Sequence, residues 1–180
     1  MLQGQIAETR GPSQGQDPLA HYLKVVADKT GSLIAASAVF GAMVSHASAE
    51  NVAALEQFGE DIGEVFQLAD DLIDITSTVT GKTPGTDLRE KVPTLPTLLL
   101  RASDDPADAE LKEMLDADLS DDAVLSDVLD KLRANHVIDE ARVEIQRRAD
   151  RARTHLTPLP DGDAKQALEA LCDEVVSRSS

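Results

Sequence analysis

The sequence is poor in the residues that mark several common classes of protein. Cys172 is the only cysteine, which excludes an intramolecular disulfide and a zinc site built from several cysteines. Tryptophan is absent, and one tyrosine and three phenylalanines are the only other aromatic residues. Lysine and arginine number 17 against 33 acidic residues, so the formal net charge is -16. Because nucleic acids are bound through basic patches, we expect no nucleic acid partner.

The acidity still allows a phosphorylated substrate, because bound divalent cations can reverse the local sign of the charge. A composition with 42% hydrophobic and 28% charged residues is typical of a globular protein. The 180 residues are enough for one domain with a sizeable core. The chain does not open with the basic and then apolar pattern of a signal peptide. We therefore expect a single domain over residues 1–180, located in the cytoplasm.

One uncharged run, residues 30–49, is long enough to cross a bilayer. It contains four serines, a threonine, His46 and two glycines, and no Trp, Tyr or cluster of Arg and Lys anchors it. Its small residues are more typical of a helix that packs closely against other helices in a soluble core. We expect no transmembrane segment.

Apolar residues recur with helical spacing along nearly the whole chain. Four such stripes are Val52, Leu55, Ile62, Val65, Phe66, Ala69 and Ile73; Leu125, Val128, Leu129 and Leu132; Ile138, Ala141, Ile145, Ala149, Ala152 and Leu156; and Leu168, Leu171, Cys172, Val175 and Val176. Asp121 or Asp122 is placed to cap the second of these helices. The alternation typical of β-strands is missing, so we predict an all-α fold with short loops.

Of all parts of the sequence, the string DDLID points most directly to a metal-binding site. With 21 aspartates, a DDxxD match arises by chance in about a quarter of such chains. On a helix, Asp70, Asp71 and Asp74 fall within one arc of roughly 100°, and Gln67 shares that arc one turn earlier. Phe66 belongs to the adjoining apolar arc, which we expect to face the core. A magnesium ion would relieve the repulsion between these carboxylates.

The same pattern occurs again in DDPAD, which shows how little it means alone. Pro106 follows the paired aspartates and belongs in the first turn of a helix. We therefore predict that Asp104, Asp105 and Asp108 are capping charges at a helix N-terminus. For DDLID, the corresponding alternative is a solvated acidic face without a ligand.

The polar loop TGKTPGTD after DDLID favours a ligand, because Lys82 is placed to meet a phosphate oxygen. Its GKT is not a P-loop, since Thr76 stands where the earlier glycine belongs and no strand precedes it. The four histidines lack the spacing of metal ligands, and we interpret them as structural or surface residues. They are His21, His46, His136 and His155.

These segments, in this order, resemble the trans-type isoprenyl (polyprenyl) diphosphate synthases. IGEVFQLADDLIDI is similar to the second aspartate-rich motif of that family, and TGKTPGTDLRE and TLP are similar to the family's loop and helix start after that motif. Upstream, YLKVVADKTGSLIAASAVFGA resembles the lysine-threonine segment, and GQIAE resembles the helix before it. Downstream, EARVEIQRRADRARTHLTPLP and ALEALCDEVVSRSS resemble the closing helices. The resemblance covers nearly all 180 residues and implies an antiparallel helical bundle like the C-terminal half of the isoprenoid synthase fold.

The resemblance implies a magnesium-dependent (Mg2+) prenyltransferase that joins isopentenyl diphosphate to an allylic prenyl diphosphate. It implies that Asp70, Asp71 and Asp74 hold the metal, with Asp87 supporting the loop or the metal shell. The implied substrate-binding residues are Lys29, Thr30, Phe66, Gln67 and Lys82, and the two lysines are also the implied catalytic residues. Metal and lysines would stabilise the leaving diphosphate by fixed positive charge, so the carboxylates hold ions and are not an acid–base pair.

The chain also departs from this family. The family's N-terminal half, with the first aspartate-rich motif and the isopentenyl diphosphate site, has no counterpart here, and the helix that opens at Met1 looks like the end of something longer. Where the family often has REGK, this chain has REKV, so Lys91 replaces the glycine and Val92 the lysine. We therefore expect the chain to be incomplete or inactive alone, and to associate as a homo- or hetero-oligomer through exposed apolar faces. The alternatives are a non-catalytic remnant or regulatory partner subunit, and a plain acidic bundle without a ligand.

Overall fold

The computed structural model describes residues 2–77 and 84–178, and these residues form helices and contain no β-strand. The helices are α1 (Leu2–Arg10), α2 (Pro18–Val26), α3 (Ser32–Val44), α4 (Ala49–Thr76), α5 (Thr86–Arg89), α6 (Leu95–Ala102), α7 (Ala109–Asp116), α8 (Asp122–Arg133), α9 (Val137–Thr154) and α10 (Asp163–Ser177). A π-helical turn, Ala27–Gly31, joins α2 to α3, and a short 3-10 turn, Pro106–Asp108, precedes α7. The prediction of an all-α fold is confirmed.

Helix α4 is the long central element, and Ser48 caps its start by accepting a hydrogen bond from the Asn51 N–H. Its buried arc is centred on Val65, Leu68 and Leu72, all of which are fully buried. Phe66 lies at the edge of that arc and is 38% exposed, so the prediction that it faces the core is wrong. The apolar stripe of the sequence is wider than the surface that the neighbouring helices cover.

Helices α8 and α9 pack with the faces that the sequence predicts. All four residues of the α8 stripe and all six of the α9 stripe are buried in one core with α4. Of the two candidate caps for α8, Asp121 accepts hydrogen bonds from the N–H groups of Ala123 and Val124. In α10, Cys172 and Val175 are buried, whereas Leu171 is largely exposed. Local periodicity therefore predicts the core side of α8 and α9 fully and that of α10 only in part.

Helix α3 crosses α4 at very short range. A Cβ atom added to Gly59 would lie 2.5 Å from the Cα of Ala35, and one added to Gly63 would lie 2.7 Å from the Cα of Gly31. The close packing predicted for the small-residue helix is therefore observed towards α4, but the predicted place of this helix in the core is wrong, since only Ala35 and Ala42 of α3 are buried. The opposite face of α3 is exposed, and its apolar side chains include Phe40, Met43 and Val44.

Among the described residues, one helical run has the length and apolar composition needed to span a bilayer. It is Pro18–Val44, with a mean hydropathy of 1.2 and 28% of its most apolar 18-residue segment buried. Length and composition are a weak criterion, because core helices of soluble proteins also satisfy it.

The aspartates of DDPAD have different structural roles. Asp105 accepts a hydrogen bond from the Ala107 N–H, as a capping residue does. Asp108 makes no side-chain cap, so its predicted capping role is wrong; it is buried and accepts from Ser103, Asn135 and His136. These donors hold the pKa of Asp108 low, at about 2. Asp108 therefore binds side chains of Ser103 and of the distant Asn135 and His136 and not the N–H groups of the α7 N-terminus.

Candidate functional site

A cavity of about 360 Å³ opens between α1, α2, α4 and the chain before α6. Four of the residues predicted to bind substrate or metal line it, namely Lys29, Thr30, Gln67 and Asp71. Glu8, His21, Tyr22 and Asp87 add polar groups, and Val25, Val26, Val92 and Leu98 supply much of the apolar wall. The cavity thus combines apolar side chains with eight polar or charged ones, which can orient a small ligand.

Asp71 is held inside this cavity by donors from three parts of the chain. The Tyr22 hydroxyl donates a short hydrogen bond to Oδ2, and the Leu95 N–H lies 3.4 Å from the same oxygen. The Gln67 amide donates to Oδ1 at 3.1 Å and accepts from the Thr30 hydroxyl at 3.2 Å. Only 4% of Asp71 is exposed. Burial raises the pKa of the Asp71 carboxyl to about 6, and burial with the adjacent carboxylate raises the pKa of Tyr22.

Asp70 and Asp74 do not line the cavity and are only partly buried. The Arg178 guanidinium lies 3.2 Å from Asp70 Oδ1, and its Cζ stands 5.1 Å from the centre of the Phe66 ring. The Asp87 N–H donates to Asp74 Oδ2 at 3.2 Å. Because residues four apart on a helix are neighbours on its surface, Asp70 and Asp74 lie one turn apart on the same side of α4.

The predicted set of three metal ligands is therefore divided between two environments. Within residues 2–77 and 84–178, no group of three or more His, Cys, Asp or Glu side chains is arranged to hold a metal ion. Asp70 and Asp74 still fit magnesium, because this cation commonly takes one or two protein carboxylates and completes its shell with water and phosphate oxygens. Asp71 has both oxygens engaged by protein donors.

Lys29 lies in the π-helical turn, a local insertion that is frequent at functional sites. Its ammonium group is 2.9 and 3.0 Å from the two carboxylate oxygens of Glu8, which reaches across from α1. The predicted diphosphate contact would therefore require Lys29 to exchange this carboxylate for the ligand. Lys82, the other predicted catalytic lysine, lies outside the described residues.

The segment after DDLID brings two further residues to the site. Burial and the neighbouring Asp74 raise the pKa of Asp87, which lies in the cavity wall. Val92 also lines the cavity, at the position where the resemblance places a lysine. Lys91 turns away and donates through Nζ to the carbonyl oxygens of Leu115 and Ala117. The Lys91 ammonium group therefore binds carbonyl oxygens near the end of α7 and does not face the cavity.

Sequence reasoning missed the partners of these residues, chiefly Tyr22, Glu8 and Arg178. Tyr22 is the only tyrosine of the chain and stands within the segment that resembles the lysine-threonine region, which is a weak signal. Glu8 belongs to GQIAE and Arg178 to the last few residues. Each meets its partner across at least 21 residues of sequence, so neither helical spacing nor a local motif reveals the contact.

Comparison with known proteins assigns the family. The family model for polyprenyl synthetase matches residues 1–132. The chain belongs to the polyprenyl synthetase family. Among members of this family, a nonaprenyl diphosphate synthase of Mycobacterium tuberculosis is 43% identical over 180 residues. That match covers 99% of this chain and 54% of the relative.

Other members of the polyprenyl synthetase family have the same fold, and the match covers a similar share of their length. The crystal structure of a geranylgeranyl pyrophosphate synthase from Corynebacterium glutamicum, in complex with calcium and isoprenyl diphosphate, superposes with a TM-score of 0.92 and 42% identity. The match covers 99% of this chain and 56% of that one. A heptaprenyl diphosphate synthase component 2 of Geobacillus stearothermophilus is 31% identical over 173 residues, which cover 95% of this chain and 53% of the relative. The chain thus spans about half the length of these relatives.

Proposed function

We propose that this chain is the diphosphate-binding part of a magnesium-dependent polyprenyl diphosphate synthase. In this proposal, residues 1–180 are one partial polyprenyl synthetase domain of a cytoplasmic enzyme that extends an allylic diphosphate with isopentenyl diphosphate. The observation that carries the proposal is the pair of partly exposed carboxylates, Asp70 and Asp74, on the helix that also places Gln67. This arrangement occurs in a member of a family whose relatives are named as prenyl diphosphate synthases.

In the proposed reaction, Asp70 and Asp74 would hold magnesium, and the bound cation would supply positive charge against the diphosphate that leaves the allylic carbon. Lys29 contributes a second positive charge once the ligand replaces Glu8 as its partner. Gln67 and Thr30, already hydrogen-bonded to each other, orient the diphosphate. We retain Lys82 as a proposed contact of the diphosphate. We also retain Phe66 as a proposed part of the site wall. Apart from Lys82, the residues in these contacts belong to the described part of the chain, and none of them is proposed as a general base.

We further propose that the chain needs a partner to catalyse condensation. Val92 stands where the family often has a lysine, and the chain spans only 54% of the nonaprenyl diphosphate synthase that it resembles. The name of the heptaprenyl relative, component 2, supports a hetero-oligomer as one form of assembly. The second candidate is therefore a non-catalytic partner subunit that keeps the diphosphate site but performs no condensation by itself.

Calorimetry with inorganic pyrophosphate, with and without magnesium, tests the diphosphate site. We expect binding that depends on magnesium and that weakens by at least about tenfold in Asp70→Asn and in Asp74→Asn. Asp104→Asn is the matched control, because it removes an exposed aspartate from the other DDxxD string. If wild type binds pyrophosphate equally well without magnesium, or if the control loses as much affinity, the proposed site is wrong.

A product assay separates the two candidates. The purified chain is incubated with magnesium, farnesyl diphosphate and isopentenyl diphosphate, and the prenyl products are separated by chain length. We expect no longer product from this chain alone. Condensation by the chain alone would show that it needs no partner. Magnesium-dependent binding without condensation would be consistent with both candidates, and addition of a chain that carries the other half of the fold would then distinguish them.

A further inference from the structure

The hydrogen bonds around Asp71 set this carboxylate apart from its two neighbours in DDLID. We propose that Tyr22 is a positioning residue: its hydroxyl keeps Asp71 inside the helix bundle, where Asp71 aligns α2, α4 and the start of α6 and does not ligate the cation. The proposal rests on the proposed function, because it concerns how the cation and diphosphate site is held. It changes the predicted ligand set from three aspartates to Asp70 and Asp74.

Both oxygens of the Asp71 carboxylate accept hydrogen bonds from the protein, three in total. Its Oδ2 accepts from the Tyr22 hydroxyl and from the Leu95 N–H, and its Oδ1 accepts from the Gln67 amide. Asp71 is only 4% exposed, so turning its carboxylate outward to a cation would break these hydrogen bonds at a nearly buried position. Asp70 differs, since its side chain is 43% exposed and its charged partner within the described residues, Arg178, is equally exposed.

The Asp71 carboxylate in turn positions Gln67 and Thr30. Because the Gln67 amide nitrogen donates to Asp71, its carbonyl oxygen points to Thr30 and accepts the hydroxyl of that residue. A continuous series of hydrogen bonds thus runs from Tyr22 on α2 through α4 to the π-helical turn that carries Lys29. Loss of the Tyr22 hydroxyl would free Asp71 and, through it, the orientation of Gln67 and Thr30.

The composition of the chain makes the contact between Tyr22 and Asp71 directly observable. Tyr22 is the only tyrosine and tryptophan is absent, so the near-ultraviolet absorbance and the fluorescence of the protein above the phenylalanine bands report on this one phenol. A hydrogen bond to a carboxylate polarises the phenol and changes both signals relative to a phenol in water or in an uncharged site. Tyr22 is therefore a built-in probe of whether Asp71 stays in place.

The experiment titrates wild type with magnesium and inorganic pyrophosphate while the Tyr22 signal is recorded, with Asp71→Asn as the reference for a phenol that has lost its charged acceptor. We expect Asp71→Asn to change the Tyr22 signal, and the titration to leave the wild-type signal unchanged while calorimetry reports binding. A wild-type signal that moves to the value of Asp71→Asn at saturation would show that Asp71 is recruited by the cation, and would overturn the proposal. Identical signals in wild type and Asp71→Asn without magnesium would also overturn it.

Tyr22→Phe tests the positioning role. We expect it to weaken magnesium-dependent pyrophosphate binding by about tenfold, roughly the free energy of one hydrogen bond, because Gln67 and Thr30 would no longer be held in one orientation. Ile145→Val is the control, because it removes a methylene group from the buried face of α9 and should lower stability without changing affinity. Unchanged affinity in Tyr22→Phe would refute the positioning role.

The two proposals fail in different ways. If calorimetry detects no magnesium-dependent binding in wild type, the proposed function fails, whereas the comparison of the Tyr22 signals of wild type and Asp71→Asn still decides whether the contact exists. If binding is present and requires Asp70 and Asp74 but the Tyr22 signal follows the cation, the proposed function stands and the role assigned to Asp71 falls. Should Asp71→Asn fail to fold, the urea-unfolded wild type provides the reference for a free phenol.

Discussion

At the scale of single residues, several side chains have partners that explain departures from the expected pattern. The backbone of Lys91 has φ 58°, the left-handed region that favours glycine. This conformation is consistent with the glycine that the family often has there. Lysine is tolerated because its ammonium group donates to the carbonyl oxygens of Leu115, at 2.7 Å, and Ala117 near the end of α7. At Lys91, backbone strain therefore lowers the stability of the fold, whereas the side-chain hydrogen bonds raise it.

Two substitutions separate these opposing effects. Lys91→Met removes the hydrogen bonds and keeps the strain, whereas Lys91→Gly removes both. We expect both variants to be less stable than wild type, and Lys91→Met to be less stable than Lys91→Gly by about 1 kcal/mol. Urea unfolding monitored by circular dichroism measures the difference. If Lys91→Met were the more stable of the two, the left-handed conformation would carry no strain.

His136 joins α9 to the DDPAD turn through both ring nitrogens. Nε2 lies 3.0 Å from Asp108 and Nδ1 lies 2.8 Å from Glu140. Because both acceptors are carboxylates, the ring binds best when both nitrogens carry protons, and these contacts raise the pKa of His136. A raised histidine pKa means that the folded state binds the proton more tightly than the unfolded state does.

This linkage predicts the direction of a pH effect on stability. The contribution of His136 is complete below the pKa of an unfolded histidine, about 6.5. It is lost as the pH rises through the higher pKa of the folded protein, whereas Asp108, with a pKa of about 2, stays charged throughout. We expect the difference in free energy of unfolding between wild type and His136→Gln to be larger at pH 6 than at pH 9. A difference that grows with pH would contradict the charged pairing.

At the scale of helices, the crossing of α3 and α4 determines where the π-helical turn can place Lys29 and Thr30. The crossing depends on glycine because a side chain at Gly59 or Gly63 would meet backbone atoms of the opposite helix. Backbone atoms cannot rotate away as a flexible side chain can, so the helices would have to separate. The sequence showed the small residues but could not show which of them faced each other.

Two glycine-to-alanine substitutions test this crossing. Gly63→Ala would place its Cβ 2.7 Å from the Cα of Gly31, and we expect it to lower stability by about 1–3 kcal/mol. Gly41→Ala is the control on α3, because a Cβ there meets no atom within 4 Å. The better helix propensity of alanine should make Gly41→Ala more stable than wild type by up to about 1 kcal/mol. Thermal or urea unfolding measures both, and equal effects would argue against a tight crossing.

At the scale of the whole molecule, the apolar surface is distributed unevenly. One core contains side chains from α4 through α10, while the outer face of α3 leaves Phe40 66% and Val44 80% exposed. These residues lie in the uncharged run of the sequence, so neighbouring charges do not separate them. Contiguous exposed apolar residues are typical of interaction surfaces, and their placement fits the proposed need for a partner.

We therefore expect the purified chain to self-associate in the absence of a partner. Phe40→Asp combined with Val44→Asp should shift the sedimentation profile towards the monomer, because charge on the α3 face opposes its burial. Val143→Asp on α9, where the valine is 69% exposed, is the control and should leave association unchanged. A monomeric wild type, or the reverse pattern among the variants, would contradict this use of the α3 face.

The sequence by itself determined the all-α class, the buried faces of α8 and α9 and the family resemblance. Each of these depends on helical spacing or on the order of local segments, which are properties of neighbouring residues. It also predicted that Lys29, Thr30, Gln67 and Asp71 share one site, and these four line one cavity. Their roles as ligands remain predictions.

Only the tertiary structure decided how DDLID is divided. A helical wheel places Asp70, Asp71 and Asp74 within one arc, but it cannot show which donors the other helices bring to that arc. Tyr22 meets Asp71 across 49 residues of sequence and the Leu95 N–H meets it across 24, and both contacts exist only because α2, α4 and α6 pack together. These donors bury one aspartate and leave the other two partly exposed to solvent and, as we propose, to magnesium.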